Sequence, residues 1–174
     1  PGSPGRPILV HAQMSRPDQL DRMVELGVVP SFFVLHTYYW GNRHRDVFMG
    51  PARAARMSPL RSAANRNLPF TIHTDAPVVP MEPLRLLWSA VNRTSTTGDV
   101  IGPEERITPQ QGLRAMTLDS AFAYFKEDEI GSIEPGKKAD LVVLSADPTA
   151  VDPTTIDQIQ VLRTIVGGET VFAR

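Results

Sequence analysis

Three short apolar runs constrain this chain more than any other feature. Ile8-Leu9-Val10, Phe32-Phe33-Val34-Leu35 and Phe70-Thr71-Ile72 are separated by stretches with helical patterns. Continuous apolar runs of this length suit strands covered on both faces, and strands that alternate with helices pair in parallel through helical crossovers. The first helix is expected after Ser15, which is placed to cap it. Pro17 falls in its first turn, Asp18 near its positive end, Leu20, Met23 and Val24 at helical spacing, and Gly27 at its stop. A loop rich in Gly, Arg and aromatic residues is expected over 37–52, and a short helix over 59–67. Pro83 opens a helix carrying Leu84, Leu87, Trp88 and Val91 on one face. Thr108-Pro109-Gln110-Gln111 is a capping box that starts helical sequence running to about Phe125, with a break at Thr117. This rhythm predicts an α/β fold. An α+β arrangement of unrelated short strands is the alternative.

The pattern changes near residue 128. The turn Glu134-Pro135-Gly136-Lys137 leads to a strand at Leu141–Leu144, closed by Asp147-Pro148. Val161 to Val166, Gly167-Gly168 and Val171-Phe172 read as a terminal hairpin. Residues 1–128 and 129–174 are therefore expected to form two units, the second built of strands that need a partner sheet.

The 174 residues are 41% hydrophobic with a formal net charge of −1, which fits a globular chain and offers no broad basic surface for nucleic acid. No apolar run approaches the roughly 20 residues that cross a bilayer. Cysteine is absent, which excludes disulfides, thiolate catalysis and Cys-ligated zinc. Pro1-Gly2-Ser3-Pro4-Gly5 reads as a leader without a secretory h-region, so a cytoplasmic location is expected. There is no Gly-x-Gly-x-x-Gly, phosphate loop or Gly-x-Ser-x-Gly elbow to support nucleotide binding or serine hydrolysis.

Chemistry concentrates on histidine. His11, His36 and His73 each follow one of the apolar runs directly; His36 lies 25 residues after His11, and His73 37 residues after His36. Spacings near 30 residues place each at the same point of successive βα units, the carboxyl ends of the strands, where parallel α/β folds build their sites. His73 and Asp75, two apart, can face one cavity, and imidazole with carboxylate suits Zn²⁺ and similar ions. Asp75 could equally be a turn residue before Ala76-Pro77. The loop from His36 through Trp40 to His44 is polar and aromatic enough to form a pocket wall, or simply to cover a sheet edge. Arg43, Arg45, Arg53 and Arg56 read as a solvated basic face.

Arg6-Pro7-Ile8-Leu9-Val10-His11-Ala12-Gln13, the segment His36 to His44, and His73-Thr74-Asp75-Ala76-Pro77-Val78 resemble the later barrel strands of metal-dependent amidohydrolases of the amidohydrolase-3 family. The segment from Glu129 to Leu144 is very similar to the superfamily's return from its barrel to a small β-sandwich. The resemblance implies the last three strands of a (βα)8 TIM-type barrel in residues 1–128 and part of a composite sandwich in 129–174. It implies hydrolysis of amide or formamide-like, non-peptide carbon–nitrogen bonds by metal-activated water, with zinc as the expected divalent ion and a small-molecule amide as substrate. Carried over by position, His11 and Asp75 are metal ligands and Asp75 also accepts the water's proton. His36 polarises the substrate carbonyl, while Trp40, His44 and His73 join it as substrate contacts.

Family features are also missing. The first-strand His-x-His, the fourth-strand carboxylate or carboxylated Lys and the fifth-strand His have no counterpart, and a complete barrel needs about 250 residues. The chain thus resembles the C-terminal portion of a longer enzyme, inactive alone, which either meets a missing N-terminal portion or forms a homo-oligomer. The rival expectations are a non-catalytic α/β module that self-associates or pairs with another chain, and a free-standing flavodoxin-like binding domain.

Overall fold

A computed structural model describes residues 5–174, so all but Gly5 of the leader expected at residues 1–5 lies outside the described residues. Strands β1 (Ile8–His11), β2 (Val29–Phe32) and β3 (Thr71–Ile72) form a parallel sheet in that order. Ile8 pairs with Val29, Val10 with Ser31, and Ser31 in turn with Thr71. Helix α1 (Pro17–Leu26) joins β1 to β2. Arg16, not Ser15, occupies its N-cap; the Gln19 side chain accepts from the Arg16 amide at 2.9 Å, while the Ser15 hydroxyl donates to the Ala12 carbonyl. Gly27 closes the helix at φ 65°, a left-handed conformation that costs glycine little.

The second strand departs from expectation. It ends at Phe32, and the apolar run continues into helix α2 (Leu35–Arg43) and a π-helical turn at His44–Phe48. Most of the loop expected over 37–52 is therefore helical. A short apolar run does not distinguish strand from buried helix, and Pro30, paired with Leu9 in mid-strand, hides the true start. Short helices α3 (Pro51–Ala54) and α4 (Leu60–Ala64) lead to β3. Helices α5 (Pro83–Asn92), α6 (Pro109–Met116) and α7 (Leu118–Ala123) follow, with Thr108 capping α6 and Thr117 breaking it from α7 as the pattern predicts. The core joins Leu20 and Met23 of α1, Phe32, Leu60, Ala63, Ile72, Leu86 and Ala90. Each such large side chain contributes roughly 1.5–3 kcal/mol on burial.

Strands β4 (Leu141–Leu144), β5 (Val161–Val166) and β6 (Glu169–Ala173) form a separate antiparallel sheet, closed by the Gly167-Gly168 turn. This region is not β alone. A 3-10 turn at Pro153–Gln158 buries Ile156 against Leu87 and Val91 of α5. Trp88 donates to the Thr154 carbonyl, Asn92 donates to the Pro153 carbonyl, and Arg85 pairs with Asp157.

Arg93 is fully buried at the end of α5, in a left-handed conformation at φ 54°. Its guanidinium donates to the carbonyls of Ile101, Ser58 and Met57. Burial lowers its pKa to about 10, so it stays charged at neutral pH. The turn it grips is tied to the end of β1, where the Ser58 amide donates to the Gln13 carbonyl at 2.7 Å. Arg93→Met strands three buried acceptors and should cost about 3 kcal/mol or more in urea unfolding, and Arg93→Lys, lacking the planar fork, should recover little of it. Gly102, at φ 63°, has no room for a Cβ, which would lie 1.9 Å from the Ala55 carbonyl oxygen. Gly102→Ala should destabilise by at least roughly 2 kcal/mol in the same measurement.

Candidate functional site

Both ends of the parallel sheet's site are built on strained backbone. His11 and Ala12 leave β1 at φ 66° and 46°, and Asp75 sits beyond β3 at φ 55°. Left-handed conformations are uncommon outside glycine and gather where a side chain must be re-aimed. Here they aim His11 and Asp75 at each other, with His11 Nε2 3.9 Å from Asp75 Oδ2. His11 Nδ1 lies 3.1 Å from His73 Nε2, and the two rings stack with centroids 5.1 Å apart. His73 is anchored from behind. Its Nδ1 lies 2.9 Å from the Ser31 hydroxyl, which accepts a hydrogen bond from Thr71.

The expected strand-end position of His36 is corrected: it stands in the first turn of α2, four residues past β2. It still reaches the group, with its ring 5.8 Å from that of His11 and 5.7 Å from that of His44. Trp40 lies one helical turn on, 6.0 Å from His36. His44 begins the π-helical turn, a feature often found at functional sites. Gln13 reaches it from β1's exit, its amide nitrogen 3.3 Å from His44 Nε2 and donating to Met57 Sδ. His11, His36, Trp40, His44, His73 and Asp75 therefore lie in one connected cluster. Phe33 fills its centre, with ring centroids 4.5 Å from His36, 5.7 Å from His11 and 5.6 Å from His73. Phe33, Gln13, Ser31 and Thr71 carried no signal in the sequence beyond their place near strand ends.

Three of the imidazoles, His36, His44 and His73, are shifted towards the neutral form. Burial chiefly, then the neighbouring His44 and His11, push His36 down to about 4. Burial, then His11, lowers His73, and burial lowers His44. The Nδ1 atoms of His36 and His44 are buried without a protein partner. Among the described residues, His11, His73 and Asp75 form a group whose donor atoms all lie within 4.8 Å of one another. Two imidazoles and a carboxylate are a donor set that zinc accepts in catalytic sites, so these residues fit a divalent ion. A cavity of about 550 Å³ lies elsewhere, between α6, α7 and β4, and contains none of these groups.

Parallel α/β sheets build their sites at the carboxyl ends of their strands, where this cluster lies. The sequence pattern of the Amidohydrolase family (Amidohydro_3) matches residues 2–172, and the chain belongs to that family. It is 30% identical over 167 residues to the N-substituted formamide deformylase of Arthrobacter pascens, covering 95% of this chain and 31% of that protein. The crystal structure of an amidohydrolase from Thermotoga maritima MSB8 superposes with a TM-score of 0.69 at 20% identity, covering 96% of this chain and 37% of that one. An adenosine deaminase from Xanthomonas campestris, solved with bound zinc, gives a TM-score of 0.66 at 21% identity, covering 95% and 37%. The chain thus spans about a third of the length of these relatives.

His36 couples the site to stability. Its pKa is about 4 in the fold against 6.5 in the ordinary range, so its stabilising contribution is complete above pH 6.5 and is lost as pH falls towards 4. In chelator, the melting temperature of the wild-type chain should fall more steeply across that interval than that of His36→Gln. Parallel slopes would contradict the burial of a neutral His36.

Proposed function

We propose that the chain is the C-terminal portion of a metal-dependent hydrolase acting on carbon–nitrogen bonds of small amide or formamide-like, non-peptide substrates. The observation that carries this reading is the convergence of His11, His73 and Asp75 at the mouth of the parallel sheet. The likeness to a formamide deformylase supports the bond type. In this reading β1, β2 and β3 are the last three strands of a (βα)8 barrel within residues 1–128, and the antiparallel sheet is part of a composite sandwich in 129–174.

His11 and Asp75, joined by His73, would hold the ion, most simply zinc. When bound, the ion supplies Lewis acidity that lowers the pKa of water and polarises a carbonyl. The chain's own groups do the rest. Asp75 accepts the proton of the attacking water and returns it to the leaving amine nitrogen as the C–N bond breaks. His36, neutral at pH 7, offers an N–H to the carbonyl oxygen as negative charge develops there. Trp40 and His44 flank His36 and bound the substrate.

The second reading, a module that pairs with itself or with another chain, is favoured by the open sheets. Val10 on β1 is 60% exposed, and Val142, Val171 and Phe172 of the second sheet are also open to solvent. Such surfaces invite strand addition or a covering partner.

The purified chain should bind zinc stoichiometrically in calorimetry and lose that binding in Asp75→Asn, while hydrolysing N-substituted formamides no faster than buffer. Absence of zinc binding would contradict the metal reading. Light scattering at high concentration should show self-association, and a clean monomer would contradict the second reading.

A further inference from the structure

The hydroxyl pair behind His73 is not explained by packing alone. Ser31 and Thr71 are register partners on neighbouring strands, and His73 stands two residues beyond Thr71 on the same side. The Thr71 hydroxyl donates to Ser31 Oγ at 2.7 Å, and Ser31 Oγ lies 2.9 Å from His73 Nδ1. At the far side of the ring, Nε2 lies 3.1 Å from His11 Nδ1. Thr71 is buried and Ser31 half-buried, so water competes poorly for these bonds.

We propose that Ser31, itself oriented by Thr71, is a positioning residue that holds the His73 ring ready for a cation at Nε2. The inference rests on His73 being one of the metal donors. With one lone pair of Ser31 Oγ taken by Thr71, a proton and a second lone pair remain. Ser31 can therefore meet either neutral form of the ring. Without a cation, Ser31 donates to Nδ1, and the His73 Nε2–H donates to His11 Nδ1. With a cation, the ring proton resides on Nδ1 and is donated to Ser31 Oγ, which leaves the Nε2 lone pair free. The ring keeps its place while its single proton exchanges between nitrogens through water, and no charge is added behind it. Metal-binding histidines commonly rely on such an outer partner.

The test compares wild type, Ser31→Ala, Ser31→Thr and Thr71→Val by zinc affinity in chelator competition, and by ¹H–¹⁵N spectra of the histidine ring nitrogens. Ser31→Ala should weaken zinc binding by about 10- to 100-fold, Thr71→Val should weaken it less, and Ser31→Thr should restore it. The wild-type His73 ring should carry its proton on Nε2 without zinc and on Nδ1 with zinc, and the zinc-free Ser31→Ala ring should show both forms. Thr71→Val carries the test should Ser31→Ala fail to fold. Unchanged affinity in both variants, no restoration by Ser31→Thr, or a His73 proton that stays on Nε2 with zinc bound would overturn the positioning role alone. A wild-type chain that takes up no zinc would overturn the metal reading and the positioning role together.

Discussion

The parallel register of three short strands is the constraint on which the rest depends. Pairing Val10 with Ser31 and Ser31 with Thr71 brings the exits of β1, β2 and β3 to one edge of the sheet. Backbone bonds then fix the height of each exit, as where the His73 amide donates to the Phe32 carbonyl. A one-residue slip in β1 would reverse its faces and carry His11 away from His73. The strand pairing, more than any contact between the polar groups, makes the cluster possible.

The cluster is not self-stabilising. Three imidazoles crowd around Phe33 and a fourth, His44, stands beyond His36; the Nδ1 atoms of His36 and His44 are buried without a protein partner, and three of the nearby backbone positions are left-handed. Each of those features costs free energy. The compensation lies in the surrounding frame, in the core beneath the sheet and in Arg93, whose bonds to the Met57 and Ser58 carbonyls brace the turn that meets Gln13. A rigid frame under a strained, polar cluster is the arrangement expected of a site preorganised for a charged ligand.

Much of the frame was legible in the sequence where local chemistry and tertiary context agree. The Thr108 cap, the break at Thr117, the start of α5 at Pro83 and the Gly167-Gly168 hairpin all match, while α5 buries Leu86 and Ala90 in the main core beside the expected Leu87 and Val91. What the sequence did not disclose shares a cause. The run Phe32 to Leu35, read as a strand, passes from strand into helix without a polar cap; Pro30 in a central strand and Arg93 in the interior gave no warning of their places. Each is a local rule overridden by packing. At the site, residue type and position after apolar runs singled out His11, His36, His73 and Asp75, although His36 stands in α2 rather than at a strand end. The closeness of His73 to His11 was not visible, because it depends on the register and on φ at His11. Ser31 and Thr71 read as ordinary strand residues until their hydroxyls are seen in line with His73.

The most direct test of the central claim is the position of a bound ion. Crystals of this chain grown with zinc should show an anomalous scattering peak at roughly 2.0–2.2 Å from His11, His73 and Asp75. A peak bound by other residues, or those two imidazoles and the carboxylate turned to separate faces of the sheet, would contradict the account.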